Sequence, residues 1–443
     1  MNLIKEEAMK VVSKLQQSGY LAYFAGGCVR DLLRDEIPTD YDIATNALPE
    51  QVISLFSKTR SVGAHFGVII VISEEFVFQV ATFRNDGSYG DGRRPETVEF
   101  TSPEEDVLRR DFTINGIFYD PVEDRTIDYV NGQDDISSGT VRAIGNPESR
   151  FKEDHLRLLR AVRFAARFNY KIEESTWAAI CGNAKEIKNI SEERIRDELS
   201  KILLDPERVR GFDLLMESGL MEAIIPEIID LKGCEQPPQF HPEGDVFVHT
   251  RLMLTLLKDD PSLSLVLSVL LHDIGKPATF SYDEEADRIR FNGHDKIGSD
   301  MASTILRRLK YPNKIIEEVT EMVVNHMTFK DVQKMREAKL KRFMARPTFE
   351  DETELHRVDC LASHGKLDLY EFCREKSAEA GEEGLRPPRL VTGHDLIGMG
   401  LEPGPRLGEI LQWVEDEQLE GRLADRKTAL AAVELKYLAP KQE

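Results

Sequence analysis

Cysteine and tryptophan are scarce in this 443-residue chain, which holds five of the first and two of the second. The cysteines (Cys28, Cys181, Cys234, Cys360 and Cys373) include no C-x-x-C pair, which argues against a disulfide framework and a thiolate zinc site. They read as ordinary small apolar residues. Long apolar runs are missing as well. None approaches the roughly 18 to 20 residues that span a bilayer, and the opening "MNLIKEEAMKVVSKLQQSGY" reads as an amphipathic helix without a signal-peptide core. A cytoplasmic protein without a membrane partner is expected. Positive charge is in deficit too: 58 Lys and Arg face 79 Asp and Glu, a formal net charge of -21, which speaks against a generic nucleic-acid binder.

The chain is long enough for two to four domains, and 41% apolar residues suffice for packed cores. Charge is also uneven. Residues 141–170 carry seven basic residues (142, 150, 152, 157, 160, 163 and 167) against three acids (148, 153 and 154), a local surplus of four where a polyanion could bind.

The first part of the chain mixes strand and helix signals. "YLAYFAGG", "DYDIAT", "GVIIVISEEFVFQVATF" and "IDYVNG" are β-rich and bounded by turn residues, while "LPEQVISLF" reads as a helix opened by proline. From about residue 150 the pattern is almost wholly helical, with a capping-box signature in "SEERIRDELSKILL". "GCEQPPQFHPEGD" and "GEEGLRPPRL" punctuate this helical part. The expected division is a head at 1–140, a neck at 141–232, a third segment at 233–380 and a C-terminal tail at 381–443.

The chemistry starts at "GGCVRDLLRDEIPTDYDIAT", residues 26–45. On an extended strand, residues two apart share a side, so Asp40 and Asp42 present two carboxylates together while Tyr41 points away. Such a pair suits Mg²⁺, which takes one or two protein carboxylates and completes its shell with water and phosphate. Gly26 and Gly27 allow backbone amides to approach a triphosphate, with Arg30 adding charge. By itself a D-x-D is most often a solvated surface pair. The whole constellation resembles motif A of the polymerase-β nucleotidyltransferase superfamily, in particular the class II branch of tRNA nucleotidyltransferases (CCA-adding enzymes) and bacterial poly(A) polymerases.

Further segments follow in that family's order: "TFRNDGSYGDGRRPETVEF" (82–100) resembles its flexible loop, "EEDVLRRDFTINGIFYD" (104–120) its R-R-D-F-T-x-N motif, and "RFKEDHLRLLRAVRFAARF" (150–168) its E-D-x-x-R motif. The resemblance covers about the first 220 residues. It departs at Gly116, where the family has alanine; only local packing is expected to differ. It implies an α+β fold, with a mixed-sheet nucleotidyltransferase head followed by all-helical neck, HD and C-terminal domains.

Asp154, Arg157, Arg160 and Arg163 recur every three residues. On a helix, neighbours in such a series are adjacent, so Asp154 and Arg157 can face one ligand while Arg163 looks elsewhere, toward phosphate. An ionised aspartate accepts hydrogen bonds and arginine donates them. Adenine and cytosine both pair an exocyclic amine with a ring-nitrogen acceptor, which suits Asp plus Arg; guanine and uracil do not. The family resemblance assigns Asp154 and Arg157 this base-reading role, and it carries Gly27, Arg30, Arg110, Arg160 and Arg163 over as nucleotide-binding. The plain alternatives are a surface ion pair for D-x-x-R and a charged loop for Arg109 and Arg110. The role of Asp111, to orient a basic group or to support metal, stays open.

A second cluster runs through "VFVHT" (His249), "LLHDIGKP" (His272, Asp273), "FNGHDKIG" (His294), "VVNHM" (His326) and "HRVDCLASHG" (Asp359). Neutral imidazoles with carboxylates suit Mn²⁺, Ni²⁺, Fe²⁺ or Mg²⁺. The order resembles the HD phosphohydrolase superfamily, which implies either a live phosphodiesterase or phosphatase or a degenerate helical domain supporting RNA.

The leading expectation is addition of CMP and AMP from CTP and ATP to tRNA 3′ ends, with Asp40 and Asp42 holding Mg²⁺. The alternatives are an A-adding specialist, a poly(A) polymerase, and an HD signalling phosphohydrolase with a nucleotide-sensing head. Oligomeric state is not readable from the sequence.

Overall fold

Strands form where β-branched and aromatic residues concentrate. In chain order they are β1 (Ala22–Ala25), β2 (Asp42–Thr45), β3 (Thr59–Arg60), β4 (Val68–Ser73), β5 (Phe76–Thr82), β6 (Arg84–Asp86), β7 (Val98–Phe100), β8 (Ile117–Asp120) and β9 (Arg125–Asp128). The computed structural model describes residues 3–61, 67–86 and 98–438. It divides into two compact units, Met1–Ile229 and Asp230–Glu443.

In the first unit, seven strands make one sheet in the order β3-β4-β5-β2-β1-β8-β9. Only β2 and β5 pair in parallel, so the sheet is mixed. β6 and β7 form a separate antiparallel ribbon at the two ends of the segment expected as a flexible loop; residues 87–97 of that segment lie outside the described residues. The core on one face joins Tyr23, Ala25, Ala44, Phe83, Val107, Phe118 and Ile144, with Phe83 and Phe118 edge to face at 5.5 Å. β9 stops at Asp128 because its carboxylate accepts the amides of Val130, Gly132 and Gln133 and turns the chain.

After β9 the described residues of the first unit are helical but for two short strands, Thr140–Val141 and Lys171–Ile172, paired in parallel. The helix Leu156–Arg167 is fastened to the head by Phe164, which meets Phe112 edge to face at 5.9 Å. The helix Glu192–Leu204 starts at Ser191 as expected, but the serine side chain makes no capping hydrogen bond. Among the described residues the second unit is helical except for an antiparallel hairpin, Ser281–Asp283 with Arg288–Arg290. Residues 391–433 have a core of their own, built on Val391, Leu396, Ile410, Val414, Ala429 and Val433. No helix is long and apolar enough to cross a membrane among the described residues.

Gly116 has a packing reason for lacking a side chain. A Cβ there would stand 2.9 Å from Val130 Cγ2, 3.0 Å from Ile144 Cδ1 and 3.1 Å from Val107 Cγ1. Two valines and an isoleucine occupy the space of a methyl group. Gly116→Ala is therefore expected to destabilise the first unit by about 1–3 kcal/mol through overpacking, and Val130→Ala in the same chain to restore part of the loss. Chemical denaturation of the three variants checks this; a Gly116→Ala protein as stable as the parent contradicts it.

Candidate active site

The glycine turn, the carboxylate of Asp42 and the arginine helix meet in one cavity of about 540 Å³ within the first unit. Its wall includes Gly26, Gly27, Arg30, Asp42, Arg110, Asp111, Asp154, Arg157, Arg160 and Arg163. Gly26 takes φ 72°, which glycine adopts without strain, and caps the short helix Gly27–Leu33. The position of its missing side chain is 3.6 Å from Arg110 Nη1, so the arginine lies against bare backbone.

The strand begins at Asp42, so Asp40 stands on the approach to the strand and not within it. The alternation nevertheless holds. Tyr41 is buried and packs on Phe24 at 4.9 Å, while Asp40 and Asp42 are exposed. Asp42 opens into the cavity on one side and is enclosed by protein on the others. That enclosure, with the charge of Asp40 beside it, raises its pKa to about 6 despite Arg110.

Asp154 is not on a helix with Arg157, as the three-residue spacing had suggested. The chain breaks there: one helix ends at Glu153, Asp154 is extended (φ -150°, ψ 102°), and the next helix starts at Leu156. Its carboxylate has taken up local work, Oδ1 accepting the Leu156 amide at 3.0 Å and Oδ2 accepting Arg194 at 2.7 Å. Arg157 is buried and donates to Glu153 Oε2 at 2.8 Å, to the Arg150 carbonyl at 3.0 Å and to the Arg109 carbonyl at 3.0 Å. Both side chains still reach the same cavity. So does Arg163, which the helical stripe had directed elsewhere; Glu198 holds it at 3.0 Å.

Asp111 orients arginines. Its Oδ2 accepts Arg160 Nε and Nη2 at 2.8 and 2.6 Å, and its Oδ1 accepts Asn115 Nδ2 at 3.1 Å. Asn115 in turn accepts Arg30 Nη1 at 2.7 Å. Burial works against the Asp111 charge, but Arg160 and the hydrogen bonds outweigh it and bring the pKa to about 2. Arg30 is further held over the rings of Phe168 and Phe164, 4.6 and 5.3 Å from their centroids. Arg194 and Glu198 are partners that no sequence pattern marks, whereas Asn115 and Glu153 stand in the R-R-D-F-T-x-N and E-D-x-x-R motifs. A spacing argument within one helix carries no signal for partners that arrive from another.

In the second unit, the imidazoles of His249, His272, His294 and His326 and the carboxylates of Asp273 and Asp359 gather from five helices or helix ends. Three histidines use one local device. Nδ1 of His272, His294 and His326 lies 2.9, 2.7 and 2.6 Å from the carbonyl three residues earlier (Val269, Phe291, Val323). A carbonyl only accepts, so each Nδ1 carries the proton and each Nε2 points a lone pair inward. His294 Nε2 and His326 Nε2 sit 3.2 Å apart. Two lone pairs cannot bond to each other; a cation between them can satisfy both. His249 is oriented the same way by Glu243 Oε1, 2.6 Å from its Nδ1.

The Nε2 atoms of His249 and His272 are buried without a hydrogen bond, although Asp359 and Asp273 oxygens lie 3.2 and 3.0 Å away. This donor set therefore fits a divalent metal. Ligand atoms of His249, His272 and Asp273, and of Asp273, His294 and His326, lie mutually within 4.8 Å, with Asp273 common to both groups. Burial pushes the pKa of His326 down to about 4, with His272 and His294 adding to the effect. His241 and Glu243 of "HPEGD" belong to the same surroundings, Glu243 Oε1 also accepting His241 Nδ1 at 2.9 Å. Sequence reasoning took that stretch for punctuation; the H-x-E spacing was the available signal. An adjoining cavity of about 440 Å³ is lined by Lys276, Arg288, Arg290 and Lys330 beside Asp273, His294 and Asp359.

Family comparisons agree with this geometry. Residues 22–142 match the poly A polymerase head domain, 169–231 the probable RNA and SrmB-binding site of polymerase A, 246–363 the HD domain, and 388–433 tRNA nucleotidyltransferase domain 2 (putative). Mixed-sheet head, arginine-lined cavity and HD centre together define a nucleotidyltransferase carrying an HD domain. The chain is 43% identical over 427 residues to the CCA-adding enzyme of Geobacillus sp. (strain WCH70), covering 95% of this chain and 94% of that one. It is 32% identical over 433 residues to the CCA-adding enzyme of Levilactobacillus brevis, covering 96% of each. It superposes on the crystal structure of Bacillus stearothermophilus CCA-adding enzyme in complex with CTP with a TM-score of 0.76 at 27% identity, over 98% of both chains. The chain belongs to the CCA-adding enzyme family.

A cation on Asp42 requires its carboxylate ionised. Divalent-ion affinity is therefore expected to be level near pH 7.5 and, below the pKa of about 6, to fall roughly tenfold per pH unit. Calorimetric titration with Mg²⁺ at pH 5 and 7.5, on a chain whose HD centre is disabled by His272→Ala, checks the sign. Affinity that does not change with pH contradicts it.

Proposed function

We propose that this chain adds CMP and AMP, from CTP and ATP, to tRNA 3′ ends and so builds or repairs the CCA terminus. The observation that carries the reading is the meeting of Asp42, the Gly26-Gly27 turn, the Asp154 and Arg157 pair and a row of arginines in one cavity. The substrate reading rests on the full-length relatives named CCA-adding enzymes. They favour CCA addition over A-only addition or polyadenylation, although the head model bears the poly A polymerase name.

Asp40 and Asp42 would hold Mg²⁺, which when bound activates the attacking hydroxyl and neutralises charge on the phosphates. Arg110, Arg30 and the amides beside Gly26 hold the triphosphate, with Arg160 and Arg163 facing it from the helix Leu156–Arg167. The tRNA 3′-hydroxyl attacks the α-phosphorus in line, and pyrophosphate leaves. Asp154 and Arg157 read the base. Arg194 donates to Asp154 and Glu153 accepts from Arg157, partners of the same polarity as the exocyclic amine and ring nitrogen of adenine and cytosine. Four segments, 1–140, 141–232, 233–380 and 381–443, divide the labour of head, neck, HD domain and tail, and the tRNA substrate puts the enzyme in the cytoplasm.

A second activity is favoured by one observation, the converging Nε2 lone pairs beside a cation-lined cavity. The HD centre would bind Mn²⁺, Ni²⁺, Fe²⁺ or Mg²⁺ and hydrolyse a phosphoester. Both head aspartates are in place, which supports a working transferase over a mere nucleotide sensor.

Asp40→Ala and Asp42→Ala are each expected to abolish transfer in a folded protein. Asp154→Asn adds an amide donor that can face a carbonyl, so it is expected to admit UTP and GTP, while Arg157→Ala weakens use of both CTP and ATP. Single-nucleotide incorporation of all four NTPs onto tRNA ending before or after CC tests this, and unchanged selectivity with a uniform rate loss overturns the base-reading assignment. Replacing His272 and Asp273 together is expected to leave transfer intact and remove metal-dependent phosphatase or cyclic phosphodiesterase activity. Collapse of transfer in a folded double variant contradicts the separation of the two sites.

A further inference from the structure

Asp106 is a buried carboxylate, 1% exposed, that forms no part of the cavity wall, yet it holds two arginines that do. Its Oδ2 accepts Arg110 Nε and Nη2 at 3.2 and 2.9 Å. Its Oδ1 accepts Arg109 Nε and Nη2 at 3.0 and 2.6 Å and, in addition, the backbone amide of Arg84 at 3.1 Å. Arg84 is the first residue of β6, and its carbonyl accepts Arg109 Nε at 2.9 Å. The base of the β6–β7 ribbon is thereby gripped through both its N–H and its C=O.

The arginines lead inward from there. Arg110 reaches Gly26 and the Asn115 carbonyl, 3.3 Å from its Nη1, and its guanidinium lies 4.9 Å above the Phe118 ring. The carbonyl of Arg109 accepts Arg157 Nη2 at 3.0 Å. One carboxylate thus stands a single residue away from the triphosphate side of the cavity, from the base-reading arginine and from the ribbon. Five charge-assisted or backbone hydrogen bonds on two oxygens leave it little freedom.

Resting on the transferase reading above, we propose that Asp106 is a positioning residue for nucleotide binding. It joins the base of the β6–β7 ribbon to the guanidinium groups of Arg109 and Arg110, so that ribbon placement and nucleotide grip form one mechanical unit. A carboxylate that only stabilised the helix Pro103–Leu108 would affect folding and leave nucleotide affinity alone.

Asp106→Asn keeps the shape but turns an amide N–H toward a guanidinium. On the full chain, KM for CTP and ATP is expected to rise about tenfold or more, with KM for tRNA near that of the parent and kcat less affected. Because Asp106 acts through Arg110, the double variant Asp106→Asn, Arg110→Ala should lose less than the two single losses combined. Unchanged nucleotide KM, or fully additive losses, overturns the proposal. Should Asp106→Asn fail to fold, hydrogen exchange on the parent decides: saturating CTP should slow exchange of the Arg84 amide, and unaltered exchange counts against the link. A parent chain that binds CTP but transfers nothing to tRNA would defeat the transferase reading instead, leaving equilibrium CTP binding to judge Asp106.

Discussion

The first unit depends on holding many guanidinium groups close together. Eight arginines line one cavity: Arg30, Arg84, Arg109, Arg110, Arg157, Arg160, Arg163 and Arg167. Two like charges 4 Å apart repel by about 4 kcal/mol at an effective dielectric of 20, so such a lining folds only if carboxylates are interleaved. They are: Asp106 serves Arg109 and Arg110, Asp111 serves Arg160, Glu153 serves Arg157, Glu198 serves Arg163 and Asp31 serves Arg30. Aromatic faces help, with Phe164 and Phe168 stacked 5.9 Å apart among Arg30, Arg34, Arg160, Arg163 and Arg167. The interleaved acids offset the repulsion among these arginines and let them share one cavity wall.

The HD centre solves the opposite problem, the concentration of lone pairs. Backbone carbonyls fix the tautomers of His272, His294 and His326, so that their Nε2 atoms are acceptors, whereas His249 stands between the carboxylates of Glu243 and Asp359, which raise its pKa to about 9 despite burial. Lys276, 2.6 Å from Asp273 and 2.6 Å from Gln236, balances part of the acidic charge. In both sites the chain commits the protein-side hydrogen bonds first and leaves one polarity over for the ligand.

Much of this was legible beforehand. The strands Ala22–Ala25, Val68–Ser73 and Phe76–Thr82 are marked by β-branched and aromatic residues, and the G-G…D-x-D and H…HD…H…H…D orders contain residues that the structure gathers into one cavity and one histidine–aspartate cluster. Where the reading slipped, the cause was physical. Asp154 has the D-x-x-R spacing of a helix, but its carboxylate accepts the Leu156 amide where one helix ends and the next begins. Ser191 carries the capping-box pattern, yet its hydroxyl makes no capping bond. Gly116 departs from the family residue because Val107, Val130 and Ile144, far apart in sequence, close on one point.

Sequence by itself determined the chemistry offered: which residue types occur, at what spacing, and hence a phosphate-handling head and a histidine–aspartate centre. Periodicity and turn residues act over a few positions, and so they also set most elements. Only the tertiary structure decided which carboxylate meets which arginine, that Asp106 reaches Arg84 and Arg110 together, and that His294 and His326 turn lone pairs toward each other. Among those pairings, Asp111 and Arg160 stand 49 residues apart in the first unit, and His294 and His326 stand 32 apart in the second. No local rule couples such distant residues, because their approach is set by the packing of whole helices and strands on a shared core.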